Sequence, residues 1–128
     1  MAIGFAGSVA TLLEGCSSLP IYKTAILKNQ IIVPAEKLLQ ANPFLLIREN
    51  SLEYDILILK QNEKYQAIYL QCTHENNSLI VGEKKISCAA HGSEFSLTGD
   101  VLKGPADKPL KQFKTFMLGG DLQFCVSV

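Results

Sequence analysis

The sequence predicts an all-β domain. Three observations carry this reading: apolar runs of five to seven residues, polar connections of three or four residues between them, and a Gly-Gly-Asp turn between the last two runs. With 128 residues the chain fits one domain, and a hydrophobic content of 48% gives it a core of ordinary size.

The elements follow in order. Ser17 to Lys28 reads as a linker running into a first strand, punctuated by Pro20. Gln30-Ile31-Ile32-Val33 is β-rich and is stopped by Pro34. Ala35 to Gln40 suits one or two helical turns, and Pro43 ends that element because it has no N–H to donate. Phe44 to Arg48, Tyr54 to Lys60 and Tyr65 to Gln71 are three strands, and the short links Glu49 to Ser51 and Gln61 to Lys64 make them an antiparallel meander. Gln112 to Leu118 and Leu122 to Val128 flank Gly119-Gly120-Asp121, a hairpin signal because glycine accepts positive φ. In the last strand Leu122, Phe124, Val126 and Val128 alternate with Gln123, Cys125 and Ser127, which puts Cys125 on the more polar face. Cys72 to Pro109 interrupts the β pattern. It is rich in Gly, Asn, Ser and Pro, the composition of loops above a scaffold.

Charge bounds the partners. Lys and Arg total 12, Asp and Glu total 12, and no run of like charges occurs. Nucleic-acid binding by phosphate neutralisation needs a basic excess, so that class is excluded. Four cysteines are too few for a disulfide-stapled mini-fold of this length.

The N-terminus stands apart. Ala2 to Leu13 is apolar and uncharged, too short for a membrane-spanning helix, which needs about 20 residues, but of the length of an export signal's apolar region. Leu13-Glu14-Gly15-Cys16 resembles a bacterial lipoprotein cleavage site, although Glu14 is unusual there and no Lys or Arg precedes Lys23. Residues 1–16 are therefore expected to be an export or lipoprotein-like segment, 17–28 a linker and 29–128 the domain. An exported, periplasmic or membrane-anchored location is expected, with a cytoplasmic one as the alternative.

The chemistry gathers in the middle. Cys72-Thr73-His74 is followed, after 13 intervening residues, by Cys88-Ala89-Ala90-His91. Each pair brings a thiolate and an imidazole to one loop tip at little loop-closure cost. Zinc would take all four on one tetrahedral ion. A 2Fe-2S cluster of mixed ligation would take two thiolates on one iron and two imidazoles on the other, and then each facing loop must supply one of each. The mixed pairs favour the cluster.

The flanking residues resemble the Rieske family. His91-Gly92-Ser93-Glu94-Phe95 is similar to its second cluster loop, and Gly104-Pro105-Ala106-Asp107-Lys108-Pro109-Leu110 to its proline loop. Tyr65 to His74 is similar to the strand feeding its first cluster loop, and Phe95 to Val101 to the exit into the next strand. The resemblance spans about residues 29–128. It implies an antiparallel β sandwich or barrel-like domain with a cluster-binding loop subdomain over 72–110. It implies a 2Fe-2S cofactor, with Cys72 and Cys88 on the inner iron and His74 and His91 on the outer one. Two neutral imidazoles in place of thiolates raise the potential, to roughly −150 to +300 mV against about −400 mV for plant-type ferredoxins.

Four neighbours tune the site in this family. Ser93 matches the hydroxyl that donates to a bridging sulfide, the alternative being a plain turn residue. Phe95 stands where high-potential members have a donating Tyr and cannot donate, so it reads as a core aromatic. Gly104 and Pro105 would cap the cluster, the glycine permitting close approach. Quinol-oxidising members tie their loops with a disulfide, but the corresponding positions here are Asn77 and Ala90. They also carry Leu after the first His, where this chain has Glu75. The resemblance thus implies a one-electron carrier working between a reductase and a partner oxidoreductase, either an oxygenase or a cytochrome. The alternatives are a subunit of a membrane quinol-oxidising complex and a zinc-stabilised binding module. A self-contained oxygenase needs two further histidines for its mononuclear iron, and both histidines of this sequence are already engaged.

Overall fold

A computed structural model describes residues 19–119 and 123–128. The expected export segment 1–16, with Cys16, lies outside the described residues, as do Gly120 and Asp121 of the hairpin turn. In chain order the elements are β1 (Ile21–Thr24), β2 (Gln30–Pro34), α1 (Ala35–Leu38), β3 (Phe44–Glu49), β4 (Ile56–Gln61), β5 (Lys64–Tyr69), β6 (Ile80–Val81), β7 (Lys85–Ser87), β8 (Glu94–Ser96), β9 (Val101–Lys103), β10 (Gln112–Leu118) and β11 (Gln123–Ser127). Seven strands form a nearly closed sheet in the order β1-β3-β4-β5-β10-β11-β2, and β6 to β9 form a four-stranded meander.

The two sheets follow from one feature of β4. Its Ile56-Leu57-Ile58-Leu59 run has no polar alternation, and all four side chains are buried. A strand with that pattern is covered on both faces. Ile56 and Ile58 point into the barrel with Ile31, Val33, Leu45, Ile47, Phe124 and Val126. Leu57 and Leu59 point outward and lie under the small sheet with Ile68, Leu70, Ile86 and Phe95. Each such side chain contributes about 1.5–3 kcal/mol on burial, so the small sheet is fixed to the barrel by an apolar layer. The β3-β4-β5 meander expected from the short links is present, with Leu46 opposite Leu57 and Leu57 opposite Ile68.

Three expectations are corrected. Residues 21–24, assigned to a linker, form a strand paired in parallel with β3, because Ile21 and Tyr22 find an open sheet edge. The stretch 72–109, read as loops, holds β6 to β9, strands of two or three residues too short to leave a periodic signal. Cys125 is not on a polar face but fully buried. Its strand lies between β10 and β2, and Phe116 and Ile32 stand opposite it on the two sides. Cross-strand neighbours share a face, so these larger groups cover a small thiol.

Candidate metal centre

Cys72 continues a row begun in β5. Ile68, Leu70 and Cys72 alternate onto the outer face of the barrel, where Cys72 joins the apolar layer under the small sheet. Cys88 follows β7 directly and enters the same layer from the other side. Both thiols are 2% exposed and neither is in a disulfide.

The two loops close in the same way. The Cys72 amide donates to the Asn77 carbonyl (2.9 Å) and the Cys88 amide to the Ser93 carbonyl (2.9 Å), each five residues on. In the second loop the Gly92 amide also donates to the Cys88 carbonyl (3.0 Å), at a φ of 81° that favours glycine. This closure lifts the histidines outward. His74 and His91 are exposed, and their rings meet edge to face with centroids 5.1 Å apart. Ligand atoms of His74, Glu75 and His91 all lie within 4.8 Å of one another. The structure thus brings together all four residues that the sequence singles out, with two thiols inside and two imidazoles outside. That is the polarity a cluster with one sulfur-ligated and one nitrogen-ligated iron requires, so the donor set fits the group.

Electrostatics prepare the inner thiol. Burial pushes the Cys72 thiol up, but the backbone N–H groups of His74 and Glu75 and contacts with Cys88 and Ser93 outweigh it and hold the thiol below its usual range. A thiolate is the form that binds metal.

The surrounding residues divide. Ser93 is fully buried, and its hydroxyl oxygen accepts the Ala106 amide (3.0 Å), which removes the plain turn reading and ties the second loop to the proline loop. Phe95 is fully buried and packs as a core aromatic. Gly104 and Pro105 are exposed, and a Cβ at Gly104 would meet only the Ala106 backbone at 3.7 Å. Protein packing alone therefore does not require that glycine; the buried member of the proline loop is Ala106.

Two residues were missed. The Thr73 hydroxyl donates to the Lys108 carbonyl (2.7 Å), linking the first loop to the proline loop, and the Tyr54 hydroxyl donates to the Asn76 carbonyl (2.6 Å). Burial, with Glu53 and Tyr69 nearby, pushes the Tyr54 phenol up, which keeps it a donor. Thr73 lies inside the Cys-Thr-His motif and could have been flagged. Tyr54, 22 residues from its partner, left no local signal.

Comparison with known proteins places this constellation. The description "Rieske [2Fe-2S] domain" matches residues 29–114. The chain is 26% identical over 72 residues to the cytochrome b6-f complex iron-sulfur subunit of Chlorobaculum thiosulfatiphilum, a stretch that covers 55% of this chain and 40% of that subunit. It therefore spans less than half the length of that relative. Among solved structures, the cyanobacterial plasma membrane Rieske protein PetC3 from Synechocystis PCC 6803 is 25% identical, with a TM-score of 0.59 over 77% of this chain and 99% of that one. The ferredoxin of carbazole 1,9a-dioxygenase from Nocardioides aromaticivorans IC177 shares the fold at 18% identity, with a TM-score of 0.51 over 75% of this chain and 96% of that one.

Proposed function

Because this chain belongs to the Rieske [2Fe-2S] domain family, and so is a 2Fe-2S electron carrier, we propose that Cys72, His74, Cys88 and His91 hold the cluster and that the protein passes single electrons from a reductase to a partner oxidoreductase. The observation that carries this reading is the pairing of two buried thiols with two adjoining exposed imidazoles on loops of matching closure. A Rieske cluster, when bound, takes up and releases one electron.

The chain's own residues supply the rest. Cys72 and Cys88 sit in an apolar layer that keeps water from the sulfur side. His74 and His91 present their edges at the surface, where a partner can approach. Ser93 holds its hydroxyl beside Cys72 while accepting from Ala106, which leaves its proton free to donate toward sulfur. Glu75 at the exposed tip suits a polar, protein partner and not an apolar quinone. With Asn77 and Ala90 where a loop-tying disulfide would need cysteines, a ferredoxin-like role is favoured over quinol oxidation.

Attachment to a membrane belongs to the same proposal. The apolar run Ala2–Leu13 and Cys16 support it. Among the described residues no helix is long and apolar enough to cross a membrane, so attachment would rest on the N-terminal segment. Cell fractionation with intact-mass measurement of the chain tests it.

The cluster assignment is tested on anaerobically prepared protein. Visible absorption and an EPR signal that appears on reduction are expected, and a redox titration then separates ferredoxin-like from quinol-linked potentials. Colourless protein holding a single zinc ion would overturn it, because zinc is d¹⁰ and silent.

A further inference from the structure

The first cluster loop stands beside a cleft. Its base is closed by the Cys72 amide on the Asn77 carbonyl and by a β-bridge between Gln71 and Ser78. A polar cleft of about 270 Å³ opens next to it, with Tyr54, Asp55, Ser78 and Leu79 in its wall. Cys72 and Cys88 are both free, so no disulfide ties the loop down. Among the described residues, two hydrogen bonds join 73–76 to the rest of the chain, Thr73 to Lys108 and Tyr54 to Asn76. They differ in what stands behind them. Lys108 is itself exposed on the proline loop.

Tyr54 is rooted in the barrel. Its amide donates to the Tyr69 hydroxyl (3.3 Å), and the two rings meet edge to face with centroids 5.8 Å apart. The carbonyl of the next residue, Asp55, accepts the Leu70 amide (3.0 Å). The Asp55 carboxylate takes a bidentate pair from Arg48 (3.0 and 2.7 Å). Tyr69 ends β5, the strand that leads into Cys72. Tyr54 and the first cysteine therefore share one support.

The bond from Tyr54 falls on a peptide that the loop itself uses. The Asn76 carbonyl and the Asn77 amide belong to one planar unit and point opposite ways. Tyr54 holds the carbonyl from outside (2.6 Å), while the amide donates inward to the Glu75 carbonyl (2.7 Å). Polarising one side of the unit strengthens the bond on the other. Glu75 is the residue next to His74, and the N–H groups of both donate to the Cys72 sulfur. Such donors favour the more negative, reduced cluster and so raise its potential.

We propose that Tyr54 is a positioning residue for electron transfer: through the Asn76–Asn77 peptide it fixes His74 and keeps the amides of the first loop on the Cys72 sulfur. It reaches neither the irons nor their ligands and acts only through the loop. This rests on the reading of Cys72 and His74 as cluster ligands and adds a residue outside the ligand set.

The test uses the full chain with its cluster. Tyr54→Phe keeps the ring against Tyr69 and removes only the hydroxyl. It should retain the cluster, lower the midpoint potential in voltammetry, alter the g values of the reduced protein's EPR signal, and speed amide exchange at Asn77 by up to about fivefold. Tyr65→Phe, a hydroxyl deletion near the far end of β5, should change none of these. A wild-type chain without a cluster would sink the electron-carrier reading and this one with it. A loaded chain whose Tyr54→Phe variant exchanges faster but keeps its midpoint and g values overturns the positioning role alone and leaves Tyr54 a structural brace. A raised midpoint, a shift without faster exchange, or an equal shift in Tyr65→Phe overturns it as well.

Discussion

The two cluster loops have the same backbone closure but different supports. Residues 72–77 leave a central strand of the barrel, and residues 88–93 form the tip between β7 and β8 of the small sheet. In each, the cysteine amide reaches a carbonyl five residues on, so backbone geometry alone turns the thiol inward and the imidazole outward. Beyond that point they diverge. The first loop is held at its rim by hydroxyls of Tyr54 and Thr73. The second is held from beneath, by the buried hydroxyl of Ser93. Closure selects which atoms face each other, and support decides how firmly they stay there.

The largest expected effects fall on what the loops share. Cys72→Ser and Cys88→Ser should each abolish the visible absorption and the EPR signal of the reduced protein, because each removes a thiolate from the same buried layer. If one variant kept a full cluster while the other lost it, the equivalence of the loops would fail.

The next effects sharpen the difference between them. Ser93→Ala leaves the Ala106 amide buried without an acceptor and should cost about 1–3 kcal/mol. It should also lower the midpoint potential, on the order of 50 mV, with the cluster still bound, since a donor near sulfur favours the reduced state. An unchanged potential in voltammetry would show that the hydroxyl makes no bond to the cluster. Thr73→Val should cost less, about 0.5–1.5 kcal/mol, because the exposed Lys108 carbonyl can turn to water. Tyr54→Phe should cost about 1 kcal/mol or less and speed amide exchange at Asn77, while leaving exchange in the second loop as it was. Faster exchange in both loops would mean that they move as one body.

Most of this contrast could not be read from the sequence. The four donors were legible because each pair is local and chemically distinctive. The barrel strands from Gln30 onward were legible because their runs are apolar and their links short. β1 was not, since Ile21 to Thr24 is only a strand by virtue of β3 beside it. β6 to β9 were not, since two or three residues carry no period. Cys125 was misplaced because alternation tells which face a residue takes, not whether Phe116 and Ile32 cover that face. The supports of the loops, Tyr54 to Asn76 and Ser93 to Ala106, are made across 22 and 13 residues and exist only once the fold has formed.

The smallest effect concerns the base of the second loop, where Lys85 on β7 pairs with Glu94 on β8 at 2.8 Å. The hydrogen bond from Lys85 holds the Glu94 carboxyl below its usual value, against an opposing push from partial burial and with help from the charges of Lys85 and Lys103. A carboxylate depressed in the folded state stabilises fully above its unfolded pKa, about 4.3, and that stabilisation disappears as pH falls through the folded value. Lys85→Met should therefore lower the urea midpoint slightly at pH 7, and the difference should shrink as pH falls through the depressed Glu94 value. Both side chains are partly exposed, so added salt should shrink the pH 7 difference. A pH 7 loss that survived high salt and persisted in acid would assign Lys85 a packing role under the second loop, and its support would then be apolar throughout.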